Sequence, residues 1–226
     1  MKYLYETHMH TSESSGCGLN TAAEQVRAYK NRGYQGIIIT DHFINGYSTC
    51  PRSSRIPWES KIEYVISGYQ AAKKEGDRLG LDVFLGWEFT IRGSDFLTYG
   101  LDWDFLMAQP ELDKLDIPEY SALVRESGGF LAQAHPYRDA TYIQHKFPVD
   151  PQYVDAIEIY NASDAEESNQ KALTFAKKHN LPIQAGSDSH SAHAYFTSGI
   201  KLNQKAENIY DIIKAIKTRE VELILP

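Results

Sequence analysis

Short β-branched or aromatic runs recur along the whole chain, and this recurrence constrains the fold more than any other feature of the sequence. Amphipathic stretches with helical periodicity separate most of these runs. Such alternation favours an α/β fold in which helices cover a parallel sheet. The runs that we predict to be strands are 3–7, 36–40, 83–88, 96–101, 130–134, 156–160, 183–185 and 222–225.

Helix signals lie between the predicted strands. Two of them are capping boxes, in which a Ser or Thr and a Glu three residues later satisfy each other's free backbone N–H groups. Two others are apolar faces with the i, i+3, i+4, i+7 spacing of a helix packed on a core. The signals are the box from Thr21 to Glu24, the face formed by Ile62, Val65, Ile66 and Tyr69, the box from Ser163 to Glu166, which opens a helix to about His179, and the stripe of Ile209, Ile212, Ile213 and Ile216.

Nearly every predicted strand ends in His, Asp or Glu. The carboxyl ends of six strands converge on one point only if the sheet closes into a barrel, whereas an open sheet concentrates its site at one switch point. We therefore predict a distorted barrel of seven strands, with one domain over 1–226 and a site at the C-terminal ends of the strands. The polar ends are Glu6-Thr-His-Met-His10, Thr40-Asp-His42, Gly86-Trp-Glu88, Ala134-His135, Glu158-Ile-Tyr-Asn161 and Gly186-Ser-Asp-Ser-His190.

Composition excludes several functional classes. Only two cysteines occur in 226 residues, which argues against a disulfide scaffold or a zinc finger. No apolar run approaches the roughly 20 residues of a membrane span, so we expect a cytoplasmic protein without a membrane partner. A net charge of −7 disfavours an extended nucleic-acid groove and fits a small substrate better. The oligomeric state stays open.

The polar strand ends have the spacing of metal ligands. His8 and His10 lie two apart, so on a strand both imidazoles face the same side and one ion can take both. Asp188 and His190 repeat that spacing at another strand end. One such pair alone is more often structural than metal-binding, but these pairs and three further strand-end ligands share one rim of the barrel. Those three are His42, Glu88 and His135.

Five ordered motifs resemble those of the PHP (polymerase and histidinol phosphatase) family over nearly the whole chain. The resemblance implies a distorted α/β barrel of seven strands that binds two or three divalent metals, zinc, manganese or iron, and hydrolyses phosphate esters. The motifs are His8-Met-His10-Thr11, Thr40-Asp-His42, Gly86-Trp-Glu88, Ala134-His-Pro136 and Gly186-Ser-Asp-Ser-His190.

The resemblance also implies a distribution of ligands over three metals. His8, His10, Glu88 and Asp188 would hold the first metal. Glu88 would bridge to a second metal, which also takes His135. His42 and His190 would hold a third. A metal-bound hydroxide would then be the nucleophile, with Glu88 and Asp188 in the catalytic centre.

The chain departs from the family pattern in two places. Many members complete the third site with a His or Asp where this chain has Ser15 and Gly16, so Glu13, Cys17 or a water must substitute if that site binds a metal. Many members also have a His where this chain has Asp95. An oxygen ligand from Asp95 at the second metal would shift preference modestly toward manganese or magnesium.

Four further residues are candidates for contacts with the substrate. Arg138 follows the His135 motif and would bind phosphate oxygens, and Arg92 and Lys146 are weaker candidates; each can equally be a solvated loop residue. His193 is a candidate general acid, although a surface role explains it as well. Without a third metal, His190 or His42 becomes the better general acid.

The sequence therefore predicts a metal-dependent phosphoesterase, and within this class a phosphomonoesterase acting on a small metabolite, with histidinol phosphate as the family precedent. A phosphodiesterase or exonuclease on short oligonucleotides is the alternative. The amidohydrolases also open with a His-x-His pair on a barrel strand, but they generally add a strand-end lysine, which no strand predicted here has. A metal-binding scaffold without catalysis is the non-enzymatic alternative.

Overall fold

The computed structural model describes residues 2–141, 143–144 and 148–225. Within them strands and helices alternate as the sequence predicts. The strands are β1 Tyr3–Glu6, β2 Gly36–Ile39, β3 Asp82–Ile91, β4 Ser94–Tyr99, β5 Phe130–Gln133, β6 Ala156–Asn161, β7 Ile183–Gly186, β8 Gly199–Leu202 and β9 Glu222–Ile224. The α-helices are α1 Ala22–Asn31, α2 Trp58–Leu79, α3 Trp103–Met107, α4 Ile117–Glu126, α5 Glu166–Lys178 and α6 Ile209–Thr218, and two 3₁₀ turns cover Leu112–Lys114 and Pro151–Tyr153.

All nine described strands form one sheet, in the order β7-β6-β5-β4-β3-β2-β1-β8-β9. Strands β1–β2–β3 and β5–β6–β7 pair in parallel. Strand β4 runs antiparallel to both β3 and β5, and β8 and β9 add an antiparallel extension beside β1. The sheet differs from the expected parallel one in two ways, because β4 reverses direction and β8, in the extension beside β1, was not predicted.

The sheet curls until its two sides meet. Beyond the end of β1, Met9 pairs in parallel with Ser189, which follows β7. The His10 N–H donates to Ser189 O at 2.9 Å, and the Thr7 hydroxyl donates to Ala185 O at 2.7 Å. This seam nearly closes a barrel, so the predicted α/β barrel is confirmed.

A two-residue turn explains why β4 runs backwards. Arg92 and Gly93 both have positive φ, 52° and 83°, as the tight hairpin turns favoured between antiparallel strands require. The predicted strand ended at Glu88, but β3 continues to Ile91 and pairs with β4 from Ser94 onward. The hairpin carries Asp95 back to the same end of the barrel as Glu88.

Side chains of the strands alternate between the helix layer and the barrel interior. Trp87 and Phe89 face outward, where the Trp87 indole N–H donates to the Tyr120 hydroxyl of α4 at 2.7 Å and Phe89 stacks on the Tyr120 ring. Inward-facing Tyr99 and Phe130 pack with the isoleucines of α6. Helix α6 therefore closes the end of the barrel opposite the polar strand ends.

Helix starts agree with the sequence except at α5. Thr21 and Glu24 form the predicted capping box at α1. Ser163 does not cap α5, which begins at Glu166 after Ala165. Instead the Ser163 hydroxyl reaches Ser187 O at 2.9 Å and Asp188 O at 3.1 Å, so tertiary contacts with the segment after β7 overrule the local motif.

No helix among the described residues combines the length and the apolar character that a membrane crossing needs.

Candidate metal centre

The C-terminal rim of the barrel gathers the predicted ligands into two adjoining groups. The inner cluster lies on or directly after strands and is buried; its members are His8, His10, Glu88, His135 and Asp188. The outer cluster lies on the loops above it and is partly exposed; its members are Cys17, His42 and His190. Potential ligand atoms lie within 4.8 Å of one another in three sets, which are His8, His10 and Asp188; His8, Glu88 and His135; and His10, Cys17, His42 and His190.

In the inner cluster, the Nε2 atoms of two imidazole rings face each other. His8 Nε2 and His10 Nε2 are 3.2 Å apart, and Asp188 Oδ1 lies 3.5 Å and 3.1 Å from them. Two ligands of a tetrahedral ion bound at about 2.0–2.1 Å lie roughly 3.3 Å apart, so this spacing suits one shared cation. The strand spacing predicted from His8 and His10 places them as expected.

Glu88 stands between the two clusters. Its Oε1 is 3.2 Å from His8 Nε2 and 3.3 Å from His135 Nε2. Its Oε2 is 3.5 Å from His10 Nε2 and 2.8 Å from His42 Nδ1. A carboxylate with two anionic oxygens facing different sets of imidazoles has the geometry of a ligand that bridges two cations.

Hydrogen bonds fix the tautomers of three histidines. His8 Nδ1 donates to Glu158 Oε1 at 3.0 Å, and His190 Nδ1 donates to Asp188 O at 2.8 Å. His10 Nδ1 donates to Ser15 Oγ at 3.1 Å, because the Ser15 hydroxyl proton goes to Asp41 Oδ1 at 2.6 Å. In each neutral ring Nε2 therefore carries a lone pair, which is the form that binds a metal.

The donor set fits a divalent metal. When both rings are neutral, the lone pairs at His8 Nε2 and His10 Nε2 face each other across 3.2 Å, an arrangement that is favourable with a cation between them. Glu88 Oε2 and His42 Nδ1 are buried without a hydrogen bond of good geometry, although they are neighbours. Buried polar groups in folded proteins are ordinarily satisfied, so these atoms mark places where a further partner belongs.

Electrostatics keeps the two carboxylates charged and His10 neutral, but it acts on His8 in the opposite sense. Burial opposes a charge on His8, yet the charges of Asp188, Glu158 and Glu88 outweigh burial and raise the pKa of His8 well above its usual value, so a metal would displace a proton from His8 when it binds. Burial alone would raise the pKa of Glu88, but the nearby rings of His42 and His8 hold it well below its usual range. Burial likewise opposes ionisation of Asp188, and the charges of His8 and Arg138 outweigh it and lower that pKa. Burial and the neighbouring His42 lower the pKa of His10 to about 3. Both carboxylates are thus charged and His10 is neutral.

Two ligands have an unusual backbone. His135 and Asp188 have positive φ, 27° and 50°, a region that non-glycine residues seldom occupy. Such strain persists only where the surrounding contacts impose it, and it concentrates at functional sites. Here the backbone N–H of His135 donates to Glu158 Oε2 at 3.0 Å, so Glu158 orients one ligand ring and holds the backbone of another ligand.

Sequence reasoning did not assign the supporting roles of Glu158, Ser15 and Asp41. Glu158 was placed among the polar strand ends, and its role could have been inferred, because a carboxylate between Ile157 and Ile159 of a buried strand needs a polar partner inside the barrel. Ser15 occupies the place where the family pattern has a metal ligand, but its hydroxyl orients His10 and accepts the His42 N–H at 3.0 Å. No local pattern would have revealed that role.

The other candidates lie at different distances from the two clusters. Asp95 is buried, with Oδ2 at 3.8 Å from His135 Nε2 and with Oδ1 accepting the Thr90 hydroxyl at 2.6 Å. Burial and the charge of Glu88 raise the pKa of Asp95 to about 6. Arg138 Nη2 donates to Asp188 Oδ2 at 2.7 Å and to Asn161 Oδ1 at 3.2 Å, so it is joined directly to a ligand.

Two further candidates are exposed. Arg92 is exposed in the β3–β4 turn. His193 is exposed on the surface beside α1, where it lines a shallow depression with Arg27 and Arg32. Lys146 lies outside the described residues.

Comparison with known protein families finds one match, which covers part of the chain. Residues 166–221 match a family model described as PHP-associated. No curated protein matches the sequence significantly.

Solved structures share the fold at low sequence identity. A two-domain protein from Bacteroides vulgatus, which contains a predicted PHP-like metal-dependent phosphoesterase, aligns with a TM-score of 0.73 and 17% identity. That alignment covers 100% of this chain but 65% of the other, so this chain spans about two thirds of that protein's length. A proposed metal-dependent phosphoesterase from Bifidobacterium adolescentis aligns over 96% of both chains, with a TM-score of 0.57 and 16% identity.

A third structure carries a different description. It is an amidohydrolase from Chromobacterium violaceum with bound sulfate and no metal, which aligns with a TM-score of 0.60 and 14% identity over 94% of this chain and 96% of the other. Identities this low establish the fold. The resemblance predicted from the motifs is confirmed: the chain has the barrel fold of PHP-like proteins, and its residues 166–221 match the PHP-associated family model.

Proposed function

We propose that the chain is a metal-dependent phosphoesterase that acts on the phosphate monoester of a small metabolite. The observation that carries the proposal is the position of Glu88, whose two buried oxygens face His8 and His135 on one side and His10 and His42 on the other. A carboxylate shared in this way supports binding of at least two cations on one rim.

Divalent metals at this rim would polarise the phosphate ester and make a water molecule nucleophilic near neutral pH. The protein's own residues prepare the site for them. His8 and His10 present Nε2 lone pairs because Glu158 and Ser15 hold their Nδ1 protons. Glu88 and Asp188 supply negative charge in a buried place where charges interact strongly.

Arg138 is the residue that we assign to phosphate binding. It lies beside Asp188 at the edge of the inner cluster, and a guanidinium can pair with two phosphate oxygens in one plane. His190 is partly exposed above the same cluster and would protonate a leaving oxygen when it is not bound to a metal. His193 and Arg92 are both exposed, and the proposal gives neither a role.

The choice of phosphate esters over amides rests on the ligands. Sulfate, bound in the Chromobacterium violaceum amidohydrolase, has the shape and charge of a phosphate group. Among the described residues, the potential ligand sets are built from His, Glu, Asp and Cys, and none of the six polar strand-end segments named in the sequence contains a lysine. The acidic net charge of −7 supports a small substrate over an oligonucleotide.

The proposal is tested by phosphate release from a panel of phosphomonoesters and short oligonucleotides, with an amide panel beside it and manganese or zinc added. We expect monoester turnover that Glu88→Ala lowers by at least about 1,000-fold, since the metals supply several kcal/mol of charge stabilisation. The exposed Glu126→Ala is the matched control and should keep its turnover. Metal-loaded protein that releases no phosphate from any ester would contradict the proposal and favour the scaffold role.

A further inference from the structure

The outer cluster brings a thiol to two imidazoles. Cys17, His42 and His190 come from three separate loops, yet their potential ligand atoms and that of His10 all lie within 4.8 Å of one another. His10 is already held by the inner cluster through its Nε2 contacts with His8 and Asp188. The remaining three residues form a set of two nitrogens and one sulfur.

The loop that carries Cys17 is held on both sides. The Gly16 N–H donates to Tyr47 O at 2.7 Å, and the Leu19 N–H donates to His190 O at 2.8 Å. At Gly18 a Cβ would lie 2.4 Å from the backbone of Thr11, so the chain can pass this close only with glycine. These contacts fix the thiol against the loops of both histidines.

A second observation points to a ligand in this place. Glu88 is 1% exposed, and its Oε2 faces His42 Nδ1 at 2.8 Å, yet neither atom has a hydrogen bond of good geometry. His190 donates its Nδ1 proton to Asp188 O, which leaves its Nε2 as an acceptor. The thiol thus lies within 4.8 Å of ring nitrogens of His42 and His190, and an unpartnered carboxylate oxygen of Glu88 lies beside His42, so electron-pair donors converge where a cation would bind.

We propose that Cys17, His42 and His190 form a thiolate-containing metal site that selects zinc over manganese and magnesium. The proposal rests on the proposed function only in assigning metals to this rim. A thiolate is a soft ligand that favours zinc, whereas the oxygen ligands of the inner cluster also suit manganese. The two clusters would therefore differ in metal preference, and Cys17 would replace the ligand that Ser15 does not supply.

Cobalt titration with the whole chain tests the site, because cobalt bound to a thiolate gives a near-ultraviolet charge-transfer band. We expect the unchanged protein to show the band. Cys17→Ser should lose the band and about one bound metal ion per chain, and the zinc affinity of that site should fall by more than about 100-fold. Cys50→Ser removes the other cysteine, which is buried elsewhere, and should keep both the band and the metal.

Cys17→His keeps a metal ligand at this position, so it distinguishes the loss of the thiolate from a loss of binding caused by misfolding of Cys17→Ser. It should bind the full number of metal ions without the sulfur band. A band that survives Cys17→Ser, or unchanged metal binding in that variant, overturns the proposal, as does an unchanged protein that fills every site with cobalt but shows no band. These readouts do not depend on turnover, so a protein without phosphoesterase activity can still show the thiolate site.

Discussion

The inner and outer clusters lie at the same rim of the barrel, but different kinds of contact hold their side chains in place. In the inner cluster the side chains of His8 and Glu88 are 0% and 1% exposed, and side-chain carboxylates and hydroxyls orient the rings. In the outer cluster His42 and His190 are 14% and 28% exposed, and backbone hydrogen bonds between loops hold the ligands. The barrel strands thus dictate the inner ligands, whereas loop sequence can change an outer ligand without disturbing the core.

Asp188→Asn should give the largest difference between the inner and the outer cluster. The Asp188 side chain contacts His10 directly, with Oδ1 at 3.1 Å from Nε2. Its hydrogen bond to the outer cluster comes instead from its backbone carbonyl, which accepts the His190 proton, while Oδ1 stays 3.6 Å from His190 Nδ1. We expect metal affinity of the inner cluster and turnover to fall about 1,000-fold, while the cobalt–thiolate band remains. Metal analysis and the absorption spectrum measure the two effects.

Asp164→Asn is the matched control, because Asp164 lies 3.8 Å from the Arg138 guanidinium without contacting the ligands. It should retain all metals. If Asp188→Asn lost the thiolate band as well, the two clusters would be one cooperative unit and the comparison would be wrong.

Glu6→Gln should change the free energy of unfolding through a buried carboxyl that lies just below the inner cluster. Burial raises the pKa of Glu6 to about 7, despite N–H donors from Ser187 and His8. The folded state therefore holds a proton that the unfolded state loses near its ordinary pKa of 4.5, so this group's contribution to stability falls as the pH rises from about 4.5 to 7.

The full shift corresponds to roughly 3 kcal/mol at 1.36 kcal/mol per pKa unit. Glu6→Gln resembles the protonated form, so at pH 8 it should be more stable than the unchanged chain by up to about that amount, with little difference at pH 4. Urea unfolding of chelator-treated protein at both values measures this. Glu63→Gln, on the exposed face of α2, is the control, and an equal stability difference at both pH values would contradict the prediction.

Glu158→Gln should have the smallest effect of the three. It keeps a hydrogen-bonding group beside His8 but removes the charge that holds the Nδ1 proton. Loss of such a supporting contact lowers metal affinity about 10- to 100-fold. Zinc competition with a chromophoric chelator measures the change. Glu75→Gln alters another largely buried carboxylate, on α2, which is paired with Arg27 and Arg78, and should leave the affinity unchanged. Equal affinities of the Glu158 variant and the unchanged chain would refute the assigned role.

Much of the inner cluster could be predicted from sequence because its ligands lie at strand ends, where local periodicity indicates their direction. His8 and His10 are the clearest case, since two-residue spacing on a strand fixes a shared face. Supporting residues were harder to predict. Ser15 orients His10 through Asp41, and this relation joins segments that only the closed barrel brings together.

The reversal of β4 was missed for a local reason. The Arg92-Gly93 pair is a turn signal. Because the predicted strand ended at Glu88, however, the pair did not directly follow a strand and was not recognised as the turn of a hairpin. The start of α5 was wrong for the opposite reason. Ser163 has the right local pattern for a cap, but its hydroxyl is occupied by carbonyls of Ser187 and Asp188.

The seam that joins Met9 to Ser189 has a consequence for the order in which the protein is made. The set of His8, His10 and Asp188 and the set of Cys17, His42 and His190 both unite the first part of the chain with residues after β7. A ribosome must therefore deliver residue 188 before the first set is complete and residue 190 before the second is. Metal retained by these sets is thus a mark of a chain whose barrel has closed.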